Sequence, residues 1–189
     1  IWFKKGIQGN CHLQHLTLRQ AKDNGEYEVS HCTGVRGLSS FSMEDVLVEQ
    51  CDQYGVLAYG TGVVGRFTNV EVRQCGWSGV QAYNGASVTL IGAKTTVHHN
   101  STRRGDSRFY GLQVSGSSSS TIQLVSPLTK EQVAIDNGGG GNWGASYGGD
   151  SHQIKTITHR DVFQTLPTFM KRQILAFFGY KDYTLAGRT

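Results

Sequence analysis

The densest set of residues able to do chemistry in this 189-residue chain is His98-His99-Asn100 and the loop Arg103-Arg104-Gly105-Asp106-Ser107-Arg108-Phe109-Tyr110. His98 could act as a general base, and Arg103, Arg104 or Arg108 could neutralise an acidic sugar. Asp106 and Tyr110 would complete a polar binding loop. The same residues also read as ordinary strand positions followed by a solvated loop. Adjacent histidines in a strand point to opposite faces, which makes them a poor metal pair. No metal and no cofactor is expected. Arg104-Gly105-Asp106 spells a cell-adhesion tripeptide, but so short a match arises readily by chance. Asn100-Ser101-Thr102 is a glycosylation sequon, meaningful only in a secreted protein.

Other candidates are weaker. The 14 carboxylates are scattered along the chain. None falls into an evident pair at glycosidase separation. Tyr54, Tyr59, Trp77, Tyr83 and Tyr110 could form a sugar-stacking strip. Tyr59 and Tyr83 are 24 residues apart, so a stabilising aromatic ladder is the competing reading. Gly138–Gly141 lacks the Lys-Ser/Thr of a phosphate loop and reads as a flexible exit. Four cysteines do not make a disulfide scaffold. Cys51 and Cys75 are expected to be reduced core residues, a slight lean to an intracellular setting.

The elements that must hold these residues emerge from internal repetition. Val46-Leu47-Val48-Glu49-Gln50-Cys51 recurs as Val70-Glu71-Val72-Arg73-Gln74-Cys75. Gly55-Val56-Leu57-Ala58-Tyr59 then recurs as Gly79-Val80-Gln81-Ala82-Tyr83. Looser copies begin at Leu16, Thr95 and Val133. Aligned units put Leu18, Val48, Val72, Val97 and Ile135 in one inward column. The outward column beside it is Arg19, Glu49, Arg73, His98 and Asp136, with charge alternating between neighbours. The next column, Gln20, Gln50, Gln74, His99 and Asn137, suggests an amide ladder at a corner. The unit is about 24 residues, too short for a βαβ crossover, and its strands alternate with period 2. Gly, Asn and Ser separate the strands, as tight corners require. The expected fold is all-β: a right-handed parallel β-helix, a solenoid with about 24 residues per coil, ending in a C-terminal amphipathic helix.

These units resemble the right-handed parallel β-helix repeats of the pectate-lyase-like superfamily over about residues 7–145. Gly85-Ala86-Ser87-Val88-Thr89-Leu90-Ile91-Gly92-Ala93-Lys94 and Ser117-Ser118-Ser119-Ser120-Thr121-Ile122-Gln123-Leu124 look like the multicopy β-helix proteins of unicellular algae and similar protists. Enzymes of the superfamily gather carboxylates on one outer sheet for Ca²⁺ or acid/base work. The resemblance therefore implies a site that the scattered acids here do not supply.

Composition limits the remaining choices. Charged residues are 17%, with 25 glycines and 2 prolines, which argues against a disordered chain. No apolar run is long enough for a membrane helix. The net charge of +4 lies wholly in residues 151–189. A neutral body does not suggest nucleic acid. The chain begins at Ile1, which reads as part of a longer or processed product. Residues 1–145 are expected to form the β-helix, 146–159 an exit linker and 160–189 a basic helical tail. In that tail Leu166, Met170, Ile174, Leu175, Phe177 and Phe178 give an apolar helical face. Leu166-Pro167, Ile174-Leu175 and Phe178-Gly179-Tyr180 are similar to the opening of an F-box motif, which would imply docking to a ubiquitin-ligase adaptor. A cap over one end of the solenoid is the alternative. The functional expectation is a non-catalytic scaffold that binds a protein partner or larger assembly. Carbohydrate binding or lyase/epimerase-like action, with an acidic polysaccharide as ligand, is the second reading. An F-box-type substrate adaptor is the third.

Overall fold

The computed structural model describes residues 1–9, 11–20, 32–103, 106–158 and 160–161. The expected tail helix, with Leu166, Met170, Ile174, Leu175, Phe177 and Phe178, lies outside the described residues, as does the F-box-like segment. The strands run in chain order β1 (Trp2–Phe3), β2 (Cys11–Arg19), β3 (Val35–Gly37), β4 (Phe41–Glu49), β5 (Val56–Tyr59), β6 (Val64–Thr68), β7 (Glu71–Arg73), β8 (Val80–Tyr83), β9 (Ser87–Ile91), β10 (Thr96–His98), β11 (Leu112–Ser115), β12 (Thr121–Val125), β13 (Ala134–Ile135), β14 (Trp143–Ser146) and β15 (Ile154–Ile157). One helical turn, α1 (Lys130–Val133), precedes β13. The fold is all-β, and every bonded strand pair is parallel.

Two sheets enclose the core. A six-stranded sheet has the order β1-β3-β5-β8-β11-β14. A nine-stranded sheet has the order β13-β10-β7-β4-β6-β9-β12-β15, with β2 paired to β4. The 24-residue step is the register itself: Val48 pairs with Val72, Val56 with Val80 and Phe41 with Gly65. Strand β4 pairs with β2 along one edge and divides its other edge between two ladders. Its first half pairs with β6 and its second half with β7. Between the halves Asp45 is left-handed (φ 49°), in register with His15 (φ 51°) and Asn69 (φ 52°). Short polar residues tolerate this conformation better than branched ones, and so they can turn a strand within the ladder. A second corner stacks Gln50, Gln74, His99 and Asp136, all with φ between 52° and 56°.

The inward columns make one hydrophobic cluster. Val56, Val80 and Leu112 of the six-stranded sheet join Val48, Val72, Val97, Met43, Phe67 and Leu90 of the other. Gly55 and Gly79 sit where a Cβ would collide with Val72 and Val97 respectively, so those positions need glycine for close packing. After the second corner, polar side chains seal the core. Asn100 accepts from Cys75 N (3.1 Å) and donates to Val72 O (3.0 Å), and Asn137 donates to Val97 O (2.9 Å). The amide ladder therefore runs through Asn100 and Asn137, inward. In the exposed column Gln50 Nε2 donates to Gln74 Oε1 at 3.2 Å, and Gln20 Oε1 accepts from Asp52 N at 2.7 Å.

Three sequence expectations need correction. Val97 pairs with Ala134, not Ile135. A capping box from Thr129 starts α1, and β13 can begin only where that turn ends. The one-residue slip reverses the faces: Ala134 is buried and Ile135 is 40% exposed. Asp136 then stands at the corner, not beside His98. Residues 146–159 are not a linker, because β14 extends to Ser146 and β15 pairs with β12. The Gly138–Gly141 run is no free exit either. Gly138 N donates to Asn100 O (2.9 Å) and Gly140 N to Phe109 O (2.8 Å).

Candidate functional site

Alternate residues of the six-stranded sheet point away from the core. Two outward columns result, Arg36/Leu57/Gln81/Gln113 and Tyr59/Tyr83/Ser115/Ser146. Outward residues of a sheet are usually solvated, yet Leu57, Gln81, Gln113 and Ser115 are all buried. They are covered from one border by segments that follow the second corner. Gln81 Nε2 donates to Ser115 Oγ (2.8 Å), and Gln113 Nε2 donates to Ser146 Oγ (2.5 Å) and Arg108 O (3.0 Å). No buried side-chain N or O of the described residues lacks a partner. A satisfied network of this kind holds its members in one geometry.

The covering segments form an aromatic wall. Trp77 and Phe109 stack with centroids 4.8 Å apart and planes 6° apart. Tyr54 meets both edge-on, at 5.0 and 5.9 Å. Arg103 lies over Trp77 and forms a two-pronged pair with Asp52 at 2.6 and 2.7 Å. Arg108 pairs with Asp106 (2.8 Å) and reaches Tyr147 Oη (3.3 Å). That partner holds the Asp106 carboxyl below its ordinary range. Burial, assisted by Tyr147 and Tyr83, pushes the Tyr54 phenol up to about 12, so it stays a neutral donor at physiological pH.

Between this wall and the exposed end of the sheet lies a cleft of about 300 Å³, lined by Thr33, Arg36, Gln53, Tyr54, Leu57, Tyr59, Gln81, Tyr83 and Tyr147. Tyr59 and Tyr83 stack at 5.1 Å and 25°, in the ladder that their spacing implies. Arg36 sits over Tyr59 (5.8 Å) and Trp2 (5.7 Å), with no carboxylate of the described residues within 4 Å. The lining therefore offers aromatic faces, primary amides, phenols and one guanidinium. Among the described residues that line it there is no Asp, Glu or His, so it holds no carboxylate pair of the glycosidase kind.

The residues that sequence grouped as one loop divide among three places. Arg103, Asp106 and Arg108 brace the wall through ion pairs. The Tyr110 ring packs over Gly140 and Gly144. Arg104 lies outside the described residues. His98 belongs to the nine-stranded sheet, where Nε2 meets Glu71 Oε1 at 3.2 Å and Nδ1 meets His99 Nδ1 at 2.8 Å. The expectation that His98 and His99 diverge fails because His99 is left-handed (φ 54°), which breaks strand alternation. Arg36, Gln53, Gln81 and Tyr147 were missed by sequence reasoning. The usable signal was that Gln81 takes the outward position of Leu57 in a repeat otherwise conserved between its two copies.

The alternating charge column is present where the register matches. Glu49, 1% exposed, accepts from Arg19 Nε (2.7 Å) and Arg73 Nε (2.8 Å). Those guanidiniums, Arg19 first, hold its carboxyl below the usual range. Asn100 of the sequon is fully buried, with its amide in the core ladder. Cys51 and Cys75 are buried free thiols, and Cys32 is an exposed one. No group of three His, Cys, Asp or Glu able to hold a metal occurs among the described residues, and no helix there is long and apolar enough to cross a membrane. Comparison with models of protein families, with curated proteins and with solved structures finds no match.

Proposed function

We propose that the chain is a right-handed parallel β-helix that binds an acidic carbohydrate without cleaving it. The 24-residue register, the two stacked left-handed corners and the exclusively parallel pairing support the β-helix reading. One observation carries the functional reading: the cleft joins the stacked Tyr59–Tyr83 pair and the amides of Gln53 and Gln81 to Arg36, which no carboxylate of the described residues pairs. Aromatic faces take the apolar face of a sugar ring, and amides pair with its hydroxyls. A guanidinium suits a uronate carboxylate. At about 300 Å³ the cleft is at the small end of ligand sites, room for about one sugar residue of a longer chain. The adaptor reading draws on the tail, beyond the described residues, and the protein-scaffold reading on a flat face of the repeats with or without that tail.

Affinity electrophoresis through polygalacturonate, alginate and a neutral glucan tests this. Acidic polymers should retard the protein and the glucan should not. Tyr83→Ala should abolish retardation, and Arg36→Ala should remove the preference for acid. Equal mobility in every gel refutes the reading. Release of unsaturated uronate products would refute its non-catalytic part.

A further inference from the structure

We infer that His98 and His99 form a two-imidazole site for a late first-row divalent metal ion, copper above all. The site is on the nine-stranded sheet and is independent of the cleft. The two Nδ1 atoms lie 2.8 Å apart, with ring planes 83° apart. A carboxylate can only accept, so Glu71 Oε1 fixes the His98 proton on Nε2. His98 Nδ1 is therefore a lone pair, and His99 Nδ1–H donates to it. This orientation of an imidazole by a carboxylate on its far nitrogen is what a metal-ligating histidine needs.

Binding then requires a rearrangement. His99 must move its proton to Nε2, and both rings must turn so that their lone pairs leave the N···N line by about 45–48° and converge on a third point. His99 is exposed, so water can carry that proton. No net proton is released. With metal–nitrogen distances of about 2.0–2.1 Å, nitrogens 2.8 Å apart subtend about 85–90°. That bite suits the tetragonal preference of Cu²⁺ or Ni²⁺ and is too narrow for tetrahedral Zn²⁺. The left-handed corner at His99 creates the pair; regular strand geometry would separate the rings.

The test is calorimetric titration of the full chain with Cu²⁺ and Zn²⁺ at near-neutral pH, with electron paramagnetic resonance of the copper form. One Cu²⁺ equivalent should bind more tightly than Zn²⁺ and show coupling to two imidazole nitrogens. His99→Gln, at an exposed position, should weaken that equivalent at least about tenfold, and Glu71→Gln should weaken it about 10- to 100-fold. His152→Gln, remote from the pair, should leave it unchanged. Circular dichroism checks that each variant is folded. Absence of binding to the wild-type chain overturns the inference, as does copper affinity unaltered in folded His99→Gln. Loss of the equivalent in His152→Gln also overturns it.

Discussion

Ala134→Asp and Ile135→Asp form a matched pair whose order depends on a single residue of register. Ala134 is fully buried opposite Val97, while Ile135 is 40% exposed opposite His98. A fully buried carboxyl has its pKa raised by about 3–5 units, and each unit is worth about 1.4 kcal/mol. Because a carboxyl so raised is largely protonated near pH 7, Ala134→Asp should cost about 4 kcal/mol at neutral pH, a large share of the 5–15 kcal/mol typical of a domain. Ile135→Asp loses only part of one side chain's burial, about 1–2 kcal/mol. Its new carboxylate stands in solvent near the His98 ring. Urea unfolding followed by circular dichroism, at neutral pH, gives both values against wild type. Ala134→Asp should have a greatly lowered midpoint or fail to fold, while Ile135→Asp should unfold close to wild type. If Ile135→Asp is the more damaging, strand β13 pairs one residue out of the register described, and the corner placement of Asp136 is wrong with it.

Three further outcomes follow from particular contacts. The Glu49 pKa is lowered in the folded state, so its contribution is present above the ordinary carboxylate range and is lost as pH falls through the depressed value. The stability gap between wild type and Glu49→Gln should be constant near neutrality and close in acid; a gap that widens in acid contradicts the Arg19–Glu49–Arg73 arrangement. Alkylation of the native protein should modify Cys32 rapidly and Cys51 and Cys75 only on unfolding, since those two are buried and Cys75 is pushed far above the thiol range by Cys51 and burial. Rapid labelling of all three would show that the column after the second corner is open. Trp77→Ala removes a stacked pair worth about 0.5–1.5 kcal/mol beyond its burial. Limited proteolysis should then cut within residues 101–110, and resistance equal to wild type would mean that the wall does not depend on the stack.

Much of this architecture was legible in the residues alone. The recurrence of Val46–Cys51 at Val70–Cys75 sets a 24-residue register, because identical repeats can satisfy their ladders and bury like side chains only by stacking in phase. The Tyr59–Tyr83 stack and the Arg19–Glu49–Arg73 alternation follow from that phase. Three things depended on the tertiary structure. The Thr129 capping box displaced the start of β13, a local competition between helix and strand that periodicity does not weigh. The left-handed corner at His99 brought two rings together that alternation would separate, since one positive φ redirects every side chain around it. The cleft joins Thr33, Tyr54, Gln81 and Tyr147, residues up to 114 positions apart, through loops that fold over the outer face of a sheet. Repeats specify how neighbours stack; what covers the stack is decided by insertions that carry no period.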